Sequence, residues 1–110
     1  MKYEVEVANS FKKNFKKLLK RYHNICDDLE TLIANLEIDP YIGADLGNGI
    51  RKIRMAISDK GKGKSHGARV ITFTVEMNED HGTVTLLSIY DKKDRESITQ
   101  KEIDKLLKEL

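Results

Sequence analysis

The amino-acid sequence predicts a single α+β domain spanning residues 1–110. Its elements run β-α-α-β-β-β-α: a small antiparallel sheet, an N-terminal helical hairpin packed on one face, and a short C-terminal helix. Three observations predict this architecture. Apolar residues recur at helical spacing through two consecutive segments between residues 11 and 36. Three β-rich runs follow between residues 50 and 91, and a capped amphipathic segment closes the chain. A length of 110 residues suits one hydrophobic core rather than two.

Taken in order, YEVEV at residues 3–7 alternates like a short strand, and Ser10 offers an N-cap for the helix that follows. Phe11, Phe15, Leu18, Leu19 and Tyr22 form one apolar stripe; Ile25, Leu29, Leu32, Ile33 and Leu36 form a second, ending before Asp39-Pro40. The short break at His23-Asn24 folds the two helices into a hairpin. Residues 40–49, PYIGADLGNG, are dense in turn formers and predict irregular structure. In IRKIRMAI, alternation puts Ile53, Met55 and Ile57 on one face and Lys52, Arg54 and Ala56 on the other. ARVITFTVEM and TVTLLSIYD read as a hairpin across the NEDHG turn at 78–82. Thr99 and Glu102 make a capping box ahead of Ile103, Leu106, Leu107 and Leu110.

Charged residues make up 35% of the chain and the net charge is +2, but the cations are bunched. Lys12, Lys13, Lys16, Lys17, Lys20 and Arg21 run without an acid between them, and Arg51 to Arg69 contains seven cations against Asp59 alone. Local fields act on partners, so this asymmetry points to a polyanion more than the total does. For residues 12–21 a solvated helix face explains the pattern equally well. The single Cys26 rules out an intrachain disulfide and reads as a half-buried small apolar residue. With no secretory h-region and no long apolar run, the expected location is cytoplasmic, away from membranes.

The stretch SDKGKGKSHGARV at 58–70 resembles a phosphate-binding P-loop, but Ser58 stands where the first glycine belongs. A β-rich run follows Gly63-Lys64-Ser65, so there is no helix N-terminus to hold a pyrophosphate. A nucleotide hydrolase is therefore set aside. His23, His66 and His81 stand alone in turns without metal-ligand spacing, and neither a metal nor another cofactor is expected. No nucleophile elbow or paired carboxylates can be picked out.

What remains is a set of cations around a sheet. Lys52 and Arg54 share a strand face, Arg69 opens the next strand, and Lys92 and Lys93 follow the last one. Such a surface suits a polyanion, with arginine favoured where phosphate accepts two hydrogen bonds. Strict alternation places Arg69 on the side of Ile71, Phe73 and Val75, so it sits at the mouth of that apolar face or follows a local twist.

The run KIRMAISDKGKGKSHGARVITF, followed by LLSIYDKKDRESIT and a short helix, resembles the RelE/HigB-type toxins of bacterial type II toxin–antitoxin modules, over nearly the whole chain. The resemblance implies a toxin that enters the ribosomal A site and cleaves mRNA, the 2′-hydroxyl attacking the adjacent phosphate without a metal. It implies the ribosome, mRNA and a cognate antitoxin as partners, and no small-molecule substrate. By position, Lys52 is the candidate base, Arg54 and Arg69 hold phosphate, and Lys92 falls where RelE-like members carry an arginine, keeping the charge without the bidentate fork. Tyr90 and Asp91 match a tyrosine and an aspartate of HigB-like members near the end of the last strand. RelE proper has a tyrosine where this chain has Ser97-Ile98. Lys60, Lys62, Lys64, His66 and Lys93 are expected to meet RNA phosphates from a mobile basic loop, and Lys12 and Lys16 to track ribosomal RNA. Two other functions compete: a non-catalytic RNA- or ribosome-binding module, and a gyrase inhibitor of the ParE branch, whose members generally lack the full basic constellation.

Overall fold

The computed structural model describes residues 2–110. Among them, five strands and three α-helices run in the order β1 (Lys2–Val7), α1 (Asn9–Arg21), α2 (Ile25–Ile38), β2 (Ala44–Gly47), β3 (Ile50–Met55), β4 (Ala68–Glu76), β5 (His81–Asp91) and α3 (Gln100–Lys108). The strands form one sheet in spatial order β1-β5-β4-β3-β2. The α+β architecture is the expected one, with two additions. β2 to β5 form the antiparallel meander, but β1 lies parallel to β5, with Val5 opposite Val84 and Val7 opposite Leu86. Within the stretch expected to be irregular, β2 adds an edge strand, and Gly47, Asn48 and Gly49 turn it back with positive φ angles of 90°, 54° and 81°. That turn needs residues that tolerate the left-handed region, which glycine and asparagine do.

The helical hairpin carries the chain across one face to the far edge, and the meander walks back until β5 meets β1. Between hairpin and sheet lies the main core: Phe11, Leu18, Ile25, Leu32 and Leu36 against Ile53, Met55, Val70, Val84, Leu86 and Ile89. Leu19, read as part of the first stripe, is 38% exposed, and Cys26 is exposed rather than half-buried. A second, smaller core occupies the opposite face, where Ile50, Ile71, Leu87 and Tyr90 pack against Ile103 of α3. Burial on both faces explains why the inner strands β4 and β5 read as near-continuous apolar runs, whereas β3 alternates.

Two local features position the site. Beyond the end of β1, the edge of β5 is followed by α1 instead of a strand. Ser10, expected as an N-cap, donates its hydroxyl to the Leu87 carbonyl at 2.6 Å; Ala8 occupies the cap without a side-chain bond. Further along α1, Asn14 accepts from Ser88 Oγ at 2.9 Å. The second feature is a β-bulge: Ile71 pairs with Ser88 but Thr72 pairs with Leu86, so Leu87 is an extra residue on β5. Leu86 packs with the hairpin core, and Leu87 packs with the α3 core. The bulge reverses the alternation for the rest of the strand. Ile89 and Asp91 therefore face the hairpin, while Tyr90 faces α3.

Candidate active site

The face opposite the hairpin gathers the cations. In the register of the sheet, Arg54 on β3 lies opposite Arg69 on β4, and Arg69 lies opposite Tyr90 on β5. Arg54, Arg69 and Tyr90 thus form one cross-strand row at the end of the sheet, and Lys52 stands on the same face two residues before Arg54, about 7 Å along the strand. Two arginines directly opposite each other repel, by an amount on the order of 0.2–1 kcal/mol. An anion seated over the row reverses that sign. Arg69 on the side of Ile71 and Phe73 meets no contradiction, because that face is itself apolar under α3 and Arg69 sits at its end.

The Arg69 side chain is buried, at 5% exposure. Its Nη1 donates to the carbonyls of Lys64 at 3.1 Å and Ala68 at 3.2 Å, and its Nη2 to that of Ser65 at 3.2 Å. Nε and one Nη2 hydrogen keep no partner among the described residues. Tyr90 beside it is 8% exposed, and its hydroxyl is buried with no hydrogen-bond partner. Burial pushes this phenol above the ordinary tyrosine range, against the opposing pull of Arg95 and Arg69, so it is a proton donor at neutral pH. Arg95 lies over the Tyr90 ring, 5.2 Å from its centroid. The Arg95 fork is held by Glu102 of α3 at 2.8 and 2.6 Å, and Glu102 also completes the expected capping box with Thr99.

Residues 58–66 form two short 3₁₀ turns, Ser58–Lys60 and Lys64–His66, with side-chain bonds to the helical hairpin. Ser58 N bonds Asp28 at 3.0 Å, and Asn24 Nδ2 bonds Asp59 at 2.7 Å. Lys60, expected to reach for RNA, instead ion-pairs with Asp91 at 2.5 Å. At the junction with β4, a Cβ on Gly67 would fall 2.0 Å from the Met55 carbonyl, so only glycine lets β3 and the loop approach so closely. Asp91 is fully buried on the hairpin side of the sheet, away from the face that carries Tyr90. Burial pushes its carboxyl up, but bonds from Lys60, Tyr22 and the Lys93 amide outweigh that and hold it below the usual carboxylate range.

Residues 8–110 match the family model for the RelE toxin of RelE / RelB toxin-antitoxin system. The chain belongs to the RelE toxin family. A comparison with curated proteins returns no match. As a RelE-family protein it is the toxin half of a toxin–antitoxin pair, and the family implies a cognate antitoxin partner. No helix among the described residues is long and apolar enough to cross a membrane. Among the same residues no group of three or more His, Cys, Asp and Glu is placed to hold a metal ion.

In this RelE-family toxin the residues singled out from sequence lie in several places, with Asp91 apart on the hairpin side. Lys52, Arg54, Arg69 and Tyr90 share the face just described. A neighbouring cleft of about 560 Å³ is lined by Lys60, Lys62, His66, Lys92 and Lys93 with Tyr22. Within it Lys92 is already paired with Glu96 at 3.0 Å, while Lys62 and Lys93 are exposed. Lys64 is exposed too, and contributes its carbonyl to Arg69. Lys12 and Lys16 are exposed on α1 and line neither cleft; Lys13 and Lys17 of the same helix line the larger one, between α1 and α3. Sequence reasoning missed Arg95 and Tyr22. The Glu102 of the capping box was a signal for Arg95, since a carboxylate so placed has capacity for a second partner. Tyr22 was read as apolar stripe, which it also is.

Proposed function

We propose that the protein is a ribosome-dependent endoribonuclease that cleaves mRNA in the ribosomal A site by 2′-hydroxyl transesterification. The observation that carries this reading is the row Arg54–Arg69–Tyr90, which juxtaposes phosphate-binding cations with a buried, unpartnered proton donor. The 2′-oxygen attacks phosphorus, the bond to the 5′-oxygen breaks, and a 2′,3′-cyclic phosphate and a 5′-hydroxyl result. Arg54 and the free N–H groups of Arg69 face the charge that grows on the phosphoryl oxygens. Tyr90, protonated at neutral pH, donates to the departing 5′-oxygen, and Lys52 on the same face is the candidate base, taking the proton of the nucleophile in its neutral amine form. Family membership supports the reading, because RelE-type toxins are generally ribonucleases. Lys62, His66 and Lys93 extend the cationic surface toward neighbouring phosphates.

The test is induction of the chain without an antitoxin, with primer extension on translated mRNA. Growth arrest, breaks within codons and fragments whose 5′-hydroxyls accept label from a polynucleotide kinase are expected. Arg69→Lys, which keeps the charge but loses the fork, should slow cleavage about 10²-fold. A harmless wild type at good expression, or arrest with intact mRNA and inhibited DNA supercoiling, overturns the proposal.

A further inference from the structure

We infer that Asp91 is a positioning residue: acting through Lys60 from the hairpin side of the sheet, it fixes the loop whose carbonyls hold the Arg69 guanidinium. This rests on the proposed ribonuclease reading for its consequence, but not for its structural basis.

Both carboxylate oxygens of Asp91 are engaged. Oδ1 accepts from Lys60 Nζ at 2.5 Å and from the Lys93 amide at 2.9 Å; Oδ2 accepts from the Tyr22 hydroxyl at 2.6 Å and Arg21 Nη1 at 3.3 Å. At 0% exposure it offers no surface to a substrate, and the sheet separates it from the face of Arg69 and Tyr90. Chemistry at the phosphate is closed to it. Transmission is not.

The same Lys60 ammonium donates to the His66 carbonyl at 2.8 Å. The two preceding carbonyls, of Ser65 and Lys64, are the ones that receive Arg69. The residue after Asp91 contributes again, its amide bonding the Gly67 carbonyl at 3.0 Å. A short path therefore runs from carboxylate to ammonium to the 64–66 turn to guanidinium. The Lys60 side chain is only 14% exposed, so its charge needs the carboxylate to stay in place. Without it the turn loses its central tie, and a shift near 1 Å at a phosphate-binding group is worth about 10²-fold in rate.

The experiment compares Asp91→Asn, Lys60→Met and the double variant with wild type. Amide exchange over residues 60–67, read on the protein alone, should quicken at least tenfold in both single variants. On translating ribosomes each should lose about 10²-fold in kcat with little change in KM. The double variant should lose no more than the worse single one, because both cut the same path. The pH–rate profile of Asp91→Asn should keep the wild-type shape. A missing limb in that profile, multiplicative losses, or a loosened turn with unchanged kcat overturns the inference. If Asp91→Asn fails to fold, Lys60→Met carries the same readouts. If wild type cuts no RNA, the ribonuclease reading falls by itself; exchange at residues 60–67 still decides the tether, and protection equal to wild type in the variants defeats it.

Discussion

Tyr90 carries a hydroxyl that the fold desolvates and leaves without a partner, a cost of roughly 1–3 kcal/mol. Among the described residues Thr72 carries the other such group, at 0% exposure beneath the helical hairpin. The two separate function from packing. Tyr90→Phe removes an orphaned polar atom, so chemical denaturation should find it as stable as wild type, or more stable by up to about 1 kcal/mol. Its cleavage rate should nevertheless fall about 10²-fold, because no donor remains for the leaving oxygen. Thr72→Val should also match or exceed wild-type stability by up to about 1 kcal/mol, yet leave cleavage unchanged, since its hydroxyl faces the core and not the row. A variant pair in which both keep activity, or both lose it, would remove the distinction drawn between these groups.

Among the elements, α3 has a dock that responds to pH. Its dock rests on Ile103, on the capping box and on the Arg95–Glu102 pair, which with the Thr99 amide lowers the Glu102 carboxyl from an ordinary value near 4.5 to about 2. A depressed carboxyl stabilises the fold above its unfolded value and loses that contribution as pH falls toward its folded value. The stability gap between wild type and Glu102→Gln should therefore be full above about pH 4.5 and close by about pH 2, read by denaturation across that range. Elements with local signals were legible in sequence: the two helical stripes, the alternation of β3 that aligned Lys52 with Arg54, and the Thr99–Glu102 box. β2 was not, because all four of its residues are exposed and leave no alternation to read. The parallel β1–β5 pair joins segments about eighty residues apart, which no local pattern encodes. In LLSIYD both strand faces are buried, so the bulge left no trace in the hydropathy. For that reason Tyr90 and Asp91 looked like one site, and Lys60 looked free for RNA.

At the scale of the whole molecule, the small net charge of +2 conceals a polarised body. β4 runs from the basic loop at Ala68 to Glu76, and the tip beyond it carries Glu79 and Asp80. Opposite charges at the two ends of the sheet orient the toxin as it approaches a polyanion. Binding to ribosomes should weaken steeply with salt, and Lys62→Gln should lower the magnitude of the log–log salt slope by about one. Lys60→Gln should lower it less, because Asp91 already matches that charge. Equal slopes for the two variants, measured by sedimentation or fluorescence at several salt concentrations, would show that the paired lysine is as available as the exposed one.

The extra residue on β5 has a heritable consequence. Were the bulge to close with every residue kept, the change would act on this strand as a frameshift acts on a gene: Tyr90 would turn beneath the helices and Asp91 would take the face of the arginines. Loss of the Leu87 codon would instead make Leu86 and Ser88 neighbours, close the ladder and leave Tyr90 opposite Arg69. Lineages that keep the tyrosine in use can therefore lose the bulge and one residue together, but they cannot lose the bulge alone.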